Sequence, residues 1–439
     1  MNAIFNFDEL AKITTTLIII ISAIILKFSY SYLKIDQDRN KFLFKIIITS
    51  LCLITTFSAN NIILFFLAWV TSNLMLTKIM IYKESWEQAV NSGKKALKNF
   101  STGFICLFLA LIILYLETNS FEINKILAAN NLNKPNITLA TILIAITALT
   151  QSSLYPFHKW LLSSLNSPTP VSALMHAGLV NGGGVLLARF SPLLFESPNI
   201  LLTIFIIGIF SAIIGTLWKL VQSNVKSMLA CSTVSQMGFM IAQCGMGLFP
   251  AAIAHLFWHA MFKSYLFLSS PNSWQEKRLD LKKPPSVYSF ILALICGLVG
   301  AIIFADINHI KIQEPNTMLV LVAICFIGAS QISLTIIDKS PIKNIVPALI
   351  ISSMASLVYA ISVVFIEDLM PQEMLNPQDL NLWHLIAILI LFILWAIRPF
   401  WTNCEQKNSL FLKLYVASLN SSQPDSTTIT TNRNEYNYR

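Results

Sequence analysis

His255-Leu-Phe-Trp-His259-Ala-Met-Phe-Lys263 lies in the middle of an apolar run from Pro250 to Leu268. Two histidines and a lysine recur at intervals of four. On an α-helix that spacing stacks them along one stripe, about 6 Å of rise per step. Three ionisable groups inside a segment of membrane-spanning length are expensive, and a stripe of them marks a path for protons or ions. Histidine titrates near neutral pH, which suits it to passing protons on. A lone histidine is more often a satisfied polar group in a helix bundle. The triplet favours the path.

The rest of the chain explains the setting. Of 439 residues, 55% are hydrophobic and 12% charged, against about 25% charged in soluble domains. Mean hydropathy is +0.66. Too few charges remain to cover a water-facing surface, so the protein is all-α, polytopic and integral to the membrane. Apolar runs of spanning length fall at 13–33, 43–59, 62–81, 102–118, 137–156, 171–194, 199–221, 227–248, 250–270, 286–304, 317–337, 345–366 and 381–400, about thirteen in all. The start of the chain lacks a signal-peptide pattern, so the first span is expected to be retained. Seven cysteines are scattered without a CxxC pair, which argues against a disulfide framework or a structural zinc site.

The net charge of +9 could suggest nucleic acid, but its distribution suggests topology. Lys34, Arg39, Lys41, Lys83, Lys94, Lys95, Lys98, Lys159, Lys219, Lys226, Lys277, Arg278, Lys282, Lys283, Lys339 and Lys343 fall to one side. Glu117, Glu122, Glu196, Asp306, Glu314, Glu367, Asp368, Glu373 and Asp379 fall to the other. Positive charge stays in the cytoplasm, so the N-terminus is expected outside and the C-terminus inside. Residues 1–415 read as a single membrane domain. Residues 416–439 read as a polar tail, expected to be disordered. All 21 Asp and Glu fall in loops, tails or span ends. The expected buried ionisable groups are therefore lysines and histidines alone, and no carboxylate-based cation site has a candidate.

Between Ile137 and Leu165 the apolar pattern is too long for one crossing and contains Pro156, with Ser167-Pro-Thr-Pro170 following. Proline breaks or kinks a helix, and broken helices at membrane depth line polar cavities. Two readings stand side by side: a Pro-broken helix within the membrane, or a helix ending at Tyr155 with a short interfacial helix at Trp160–Leu165. His176 is one turn inside the next span. Gly182-Gly-Gly184 lacks the ending of a phosphate loop and reads as a packing feature. Lys226 opens a span rich in hydroxyls and amides: Ser227, Ser232, Thr233, Ser235 and Gln236. Such a span start can hold water and relay protons, or Lys226 can be an ordinary anchor. His158, Lys159, His309 and His384 read as rim or surface residues.

Three stretches carry a resemblance. They are Pro156-Phe-His-Lys-Trp-Leu with Ser167-Pro-Thr-Pro-Val-Ser-Ala-Leu-Met-His-Ala-Gly, Asn224-Val-Lys-Ser-Met-Leu-Ala-Cys-Ser-Thr-Val-Ser-Gln-Met-Gly-Phe, and His255-xxx-His259-xxx-Lys263. Over about 150–270 the chain resembles the antiporter-like subunits, which include chain 5 of respiratory NADH dehydrogenase and the large subunit of multisubunit cation/proton antiporters. The resemblance implies an antiporter-like fold. It also implies a proton path through His176, Lys226, His255, His259 and Lys263, with Gln151, Pro156, Ser232 and Gln236 as path or gating positions. Two departures stand out. Val70 follows Ala68-Trp69 where redox-driven members carry a glutamate, and Gln151 stands where they carry a lysine. The switch pair of those pumps is absent.

Trp69-Val-Thr-Ser-Asn-Leu-Met-Leu, Gly93-Lys-Lys-Ala-Leu-Lys, Ala188-Arg-Phe-Ser-Pro-Leu, Gln243-Cys-Gly-Met-Gly-Leu-Phe and Leu414-Tyr-Val-Ala-Ser-Leu-Asn resemble one branch. It is the DabB family, the membrane subunits of inorganic-carbon transporters. The resemblance implies proton conduction that energises CO2 or bicarbonate uptake in a bacterial inner membrane. The implied partner is a DabA-like subunit that holds the zinc, with no cofactor in this chain and no nucleic acid. Lys94, Lys95, Lys98, Lys282 and Lys283 offer a docking face, or simply mark the cytoplasmic side. The rival readings are a subunit of a respiratory or sodium/proton antiporter complex, and a non-conducting anchor for a partner.

Overall fold

The computed structural model describes residues 4–129, 132–271, 285–311, 313, 315–337, 341–397 and 409–429. Among these there is no strand, only three isolated bridges between loop residues. The described chain divides into two compact units, where the sequence reading expected one domain. Unit one comprises Met1–Gly245, His255–Glu276 and Ala417–Arg439, and unit two comprises Met246–Ala254 and Lys277–Val416.

In chain order the first helices are α1 (Glu9–Tyr32), α2 (Arg39–Ser58), α3 (Ile62–Met80), α4 (Glu87–Thr118), α5 (Ile123–Leu127) and α6 (Lys134–Gln151). Then come α7 (Lys159–Leu162), α8 (Thr169–Ala177), α9 (Gly182–Arg189), α10 (Ser191–Phe195), α11 (Pro198–Val221), α12 (Val225–Gly245) and α13 (Phe249–Ser269). The last are α14 (Val287–Ile307), α15 (Met318–Ile337), α16 (Pro341–Leu369), α17 (Leu382–Ile397) and α18 (Ser409–Ser421).

Each apolar run of the sequence overlaps helix. Among the described residues, nine helices are long and apolar enough to cross a membrane by length and composition, with α8 and α9 counted as one. The helices α6, α12, α13 and the shorter α17 fall outside that set. For α12 and α13 the reason is the polar cargo they carry. On α13 burial is inverted relative to a soluble helix: His259 and Lys263 are buried while Trp258, Phe262 and Tyr265 are 46%, 59% and 68% exposed. An apolar exterior around a polar interior is the arrangement lipid demands.

Local chemistry sets several boundaries. Asp8 caps α1 by accepting from the Ala11 amide, and Asn61 caps α3 by accepting from Ile63 and Leu64. Proline stands in the first turn of α6, α8 and α11, where its missing donor costs nothing. The helices α11 and α12 pack backbone to backbone. A Cβ added at Gly208 would lie 2.6 Å from the Ala242 amide nitrogen, and one at Gly238 would lie 2.7 Å from the Gly208 oxygen.

The break between Ile137 and Leu165 is real and is buried. α6 stops at Gln151, before Pro156, and the chain resumes as α7 and a short 3-10 turn at Ser163–Asn166. Ser152, Ser153, Leu154, Trp160, Leu161 and Ser163 are all buried, so the short helix after the break packs within unit one. His158 is also buried, at 3% exposure, its ring 4.4 Å from that of Trp218. It is not a surface residue. His384 of unit two is likewise buried, whereas Lys159 and His309 are exposed as expected. The tail is corrected too: α18 continues to Ser421, and the described chain stays packed in unit one as far as Ile429. Residues beyond Ile429, and Lys277, Arg278, Lys282, Lys283, Glu314 and Lys339, lie outside the described residues.

Candidate functional site

The predicted residues of unit one come together on three helices. α12 carries Lys226 in its first turn, and Leu229 and Thr233 follow at i+3 and i+7, on the same face. α8 places His176 against that face. His176 Nδ1 lies 3.0 Å from Thr233 Oγ1. Thr233 Oγ1 in turn donates to the Leu229 carbonyl at 3.0 Å, so the ring nitrogen supplies the proton to the hydroxyl. From α13, Lys263 Nζ donates to the same Leu229 carbonyl at 3.1 Å. His176 and Lys263 are thereby linked through one hydroxyl and one backbone oxygen. Phe267, one turn beyond Lys263, stacks on the His176 ring at 4.2 Å.

The link extends in both directions. Lys226 Nζ donates to the Ser167 carbonyl at 3.4 Å and lies within electrostatic range of His176. On α13, His259 lies within range of Lys263, His255 and His176. The His255 and His259 rings are 6.1 Å apart and nearly parallel. Both ring nitrogens of His259, and Nε2 of His255, are buried without a protein hydrogen-bond partner. Such atoms are costly unless another group serves them.

The two broken helices form the wall beside His176. The Gln151 amide donates to the Leu179 carbonyl at 3.1 Å, and Ser152 Oγ donates to the Val180 carbonyl at 2.8 Å. Gln151 and Ser152 end α6, while Leu179 and Val180 sit in the 3-10 turn that interrupts α8–α9. Side chains at the end of α6 therefore serve backbone carbonyls in the break between α8 and α9. Gly183 makes the approach possible: a Cβ there would lie 2.5 Å from the Ala148 oxygen. The packing role read from Gly182-Gly-Gly184 follows directly. A Cβ at Gly182 would meet Gln151 at 3.4 Å and Trp69 at 3.6 Å. Gln151, one of the two positions at which the chain departs from redox-driven pumps, and Trp69, the residue before the other, therefore both face one glycine. A neutral amide fills the place.

Four predicted positions differ from the core set. Gln151 is buried in the wall just described. Pro156 is exposed within the break. Ser232 is half-buried and Gln236 exposed, and the geometry assigns the hydroxyl contact with His176 to Thr233 instead. The period of α12 carries that signal: from Lys226, i+7 is Thr233 and not Ser232. Sequence reasoning also missed Arg189. It is 5% exposed at the end of α9, ion-paired with Asp8, and donates to the Phe57 carbonyl at 2.8 Å. The buried ionisable groups are therefore not lysine and histidine alone, and arginine and aspartate meet at one end of unit one.

Comparison with known proteins gives a consistent set of relatives. Residues 59–283 match the family described as NADH:quinone oxidoreductase/Mrp antiporter, TM. A Hydrogenovibrio crunogenus protein named "Probable inorganic carbon transporter subunit DabB" is 32% identical over 311 residues, covering 69% of this chain and 60% of its own length. This chain thus spans under two thirds of that relative. The chloroplastic NAD(P)H-quinone oxidoreductase subunit 5 of Phaseolus vulgaris is 30% identical over 274 residues, covering 61% of this chain and 36% of its own. Among solved structures, a chain of the Mrp complex from Dietzia sp. DQ12-45-1b superposes with a TM-score of 0.58 at 20% identity, covering 95% of this chain and 45% of that one. That likeness establishes an antiporter-like fold.

Proposed function

Because this chain belongs to the NADH:quinone oxidoreductase/Mrp antiporter transmembrane family, we propose that it is the proton-conducting membrane subunit of an inorganic-carbon uptake complex. It is a transporter component of a multi-pass membrane protein type, and the carbon chemistry belongs to a DabA-like partner that holds the zinc. The DabB name of a 32% identical relative supports the substrate. The observation that carries conduction is the convergence of His176, through Thr233, and Lys263 on the Leu229 carbonyl.

The path runs from Lys226 to His176, across Thr233 and Lys263, to His259 and His255. Lys263 has three donor hydrogens, and the Leu229 carbonyl takes one. Loss of one proton leaves Nζ with a lone pair that accepts the next. The Nδ1 proton of His176 is held by Thr233, which leaves Nε2 as the exchanging nitrogen. The unpartnered nitrogens of His259 and His255 suit bound water, which bridges polar groups too far apart for a direct hydrogen bond. The chain sits in a bacterial inner membrane, its Lys226 end facing the cytoplasm, where positive loops collect.

The second reading, a subunit of a respiratory or sodium/proton antiporter complex, draws on the subunit 5 relative. Val70 and Gln151 weigh against it. The test is co-expression with a DabA-like partner. Growth at ambient CO2 that requires both chains, together with their co-purification, is the expected result. Co-purification with dehydrogenase or antiporter subunits instead would establish the second reading.

A further inference from the structure

The chain beyond Ala417 is gripped by three separate parts of unit one. From the end of α11, Trp218 Nε1 donates to Ser421 Oγ at 2.7 Å, and Gln222 Nε2 donates to Ser422 Oγ at 2.7 Å. From the turn after α7, Ser163 Oγ accepts from the Asp425 amide at 3.0 Å, and Asn166 Nδ2 donates to the Thr428 carbonyl at 2.7 Å. From α4, Asn91 Nδ2 donates to the Thr427 carbonyl at 3.1 Å, and Lys95 forms an ion pair with Asp425. Ser422 and Thr428 are 2% and 4% exposed. So many specific contacts on one polar stretch describe a docked strap.

The strap borders an open space. Between it and the body lies a cavity of about 450 Å³. Asn166, Gln222, Asn224 and Ser227 line it from the body, and Gln423 and Thr428 from the strap. Leu165, Val221, Leu419 and Pro424 share the lining, and the amides and hydroxyls between them can hold water without trapping an ion. Lys226 stands beside it: Asn224 Oδ1 accepts the Lys226 backbone amide at 2.8 Å, and Nζ reaches the Ser167 carbonyl. Ser167 follows Asn166, the residue whose side chain the strap holds. A line of contacts thus runs from Asp425 and Thr428 through Asn166 and Ser167 to Lys226.

We propose that residues 417–429 form the outer wall of a hydrated vestibule in front of Lys226, with Asp425 and Asn166 as positioning residues that hold the Lys226 mouth of the path. The proposal rests on the reading of Lys226 as that mouth. It makes the C-terminal strap part of the conduction unit.

The chain carries its own reporter. Cys231 is fully buried on α12 and lies within electrostatic range of Lys263, inward of the vestibule. Its modification by a small, charged, membrane-impermeant thiosulfonate is followed by peptide mass spectrometry in the full-length protein, alone and with its partner. Labelling tracks the population of strap-released molecules. Asp425→Lys, which sets two cations together, is expected to label at least about fivefold faster than wild type, the effect of roughly 1 kcal/mol at such a pair. Asp425→Asn falls between. The exchange Lys95→Asp with Asp425→Lys restores the wild-type rate. Equal rates in all four proteins, or a rise that the exchange does not reverse, overturns the proposal. Because the readout needs no carbon uptake, it is independent of whether Lys263 variants lose transport.

Discussion

His176 and Lys263 sit on different helices, yet both are tied to the carbonyl of Leu229, one through Thr233 and the other directly. Lys263 needs a releasable proton as well as a charge. Lys263→Arg keeps the charge but holds its protons too tightly to exchange. Both Lys263→Ala and Lys263→Arg are expected to abolish partner-dependent growth at ambient CO2 with membrane insertion intact. His259→Ala should do the same. Wild-type growth of these variants would end the case for the path.

Thr233 offers a finer test. Thr233→Val keeps the shape and removes the hydroxyl between His176 and Leu229. A hydrogen bond of about 1 kcal/mol predicts a loss near fivefold in proton flux, measured with a pH-sensitive dye in proteoliposomes of the complex. Thr233→Ser should retain most of the flux, and Ser232→Ala should change little. Equal losses at 232 and 233 would mean that helix packing, not the hydroxyl, was being read.

The contact between the end of α6 and the break between α8 and α9 is a matter of stability. Gln151→Ala removes one of two donors to the buried Leu179 carbonyl, which keeps the Gly182 amide, a cost of about 1 kcal/mol. Gly183→Ala forces a Cβ to within 2.5 Å of the Ala148 oxygen, and overpacking costs a similar amount. Each variant should unfold several degrees below wild type in detergent. A melting point unchanged in both would show that the breaks are held by something else.

Arg189 is buried while its partner Asp8 is 21% exposed, so losing the pair and the Phe57 carbonyl contact costs about 1–3 kcal/mol. Arg189→Ala is therefore expected to lower expression and melting temperature sharply. The double variant Arg189→Met with Asp8→Leu should recover part of the loss, since it leaves no charge stranded. Failure of the double variant to improve on the single one would assign the effect to the Phe57 carbonyl contact instead.

The strap has a predictable pH response. The hydrogen bond from Lys95, and then those from Thr427, hold the Asp425 carboxyl at about 2, below the usual carboxylate range. A depressed carboxylate contributes its full stabilisation above the ordinary value and loses it as pH falls through the folded value. Strap docking should thus be insensitive to pH near neutrality and weaken only between about pH 4 and pH 2. Pepsin cleavage near Leu419, faster as pH falls through that window in wild type but flat in Asp425→Asn, is the expected pattern.

Much of this was legible in the sequence because lipid imposes simple rules. Apolar length located the helices, and four-residue spacing put His255, His259 and Lys263 on one stripe of α13. Pro156 and the Ser-Pro-Thr-Pro stretch announced a break. What remained hidden depended on partners distant in the chain. Asp8 and Arg189 each look like span-end charges until folding brings them together. His158 reads as a surface residue because its burial comes from Trp218 on α11. The strap is polar, as disordered tails are, but its polar groups match a polar surface on α4 and α11. Thr233 and Ser232 are chemically alike, and only helical phase against a second helix separates them.

The hub at Leu229 belongs to the main chain. Every amino acid supplies a carbonyl there, so replacing the side chain leaves the junction in place. A scan that changes residues one at a time will record position 229 as silent or as a modest packing site, and will spread its importance over Thr233 and Lys263. Only chemistry that alters the backbone itself, such as an ester in place of the amide that carries this oxygen, would reach it. The atom on which both branches depend is thus beyond the genetic code, and a map of essential side chains would show a gap at its centre.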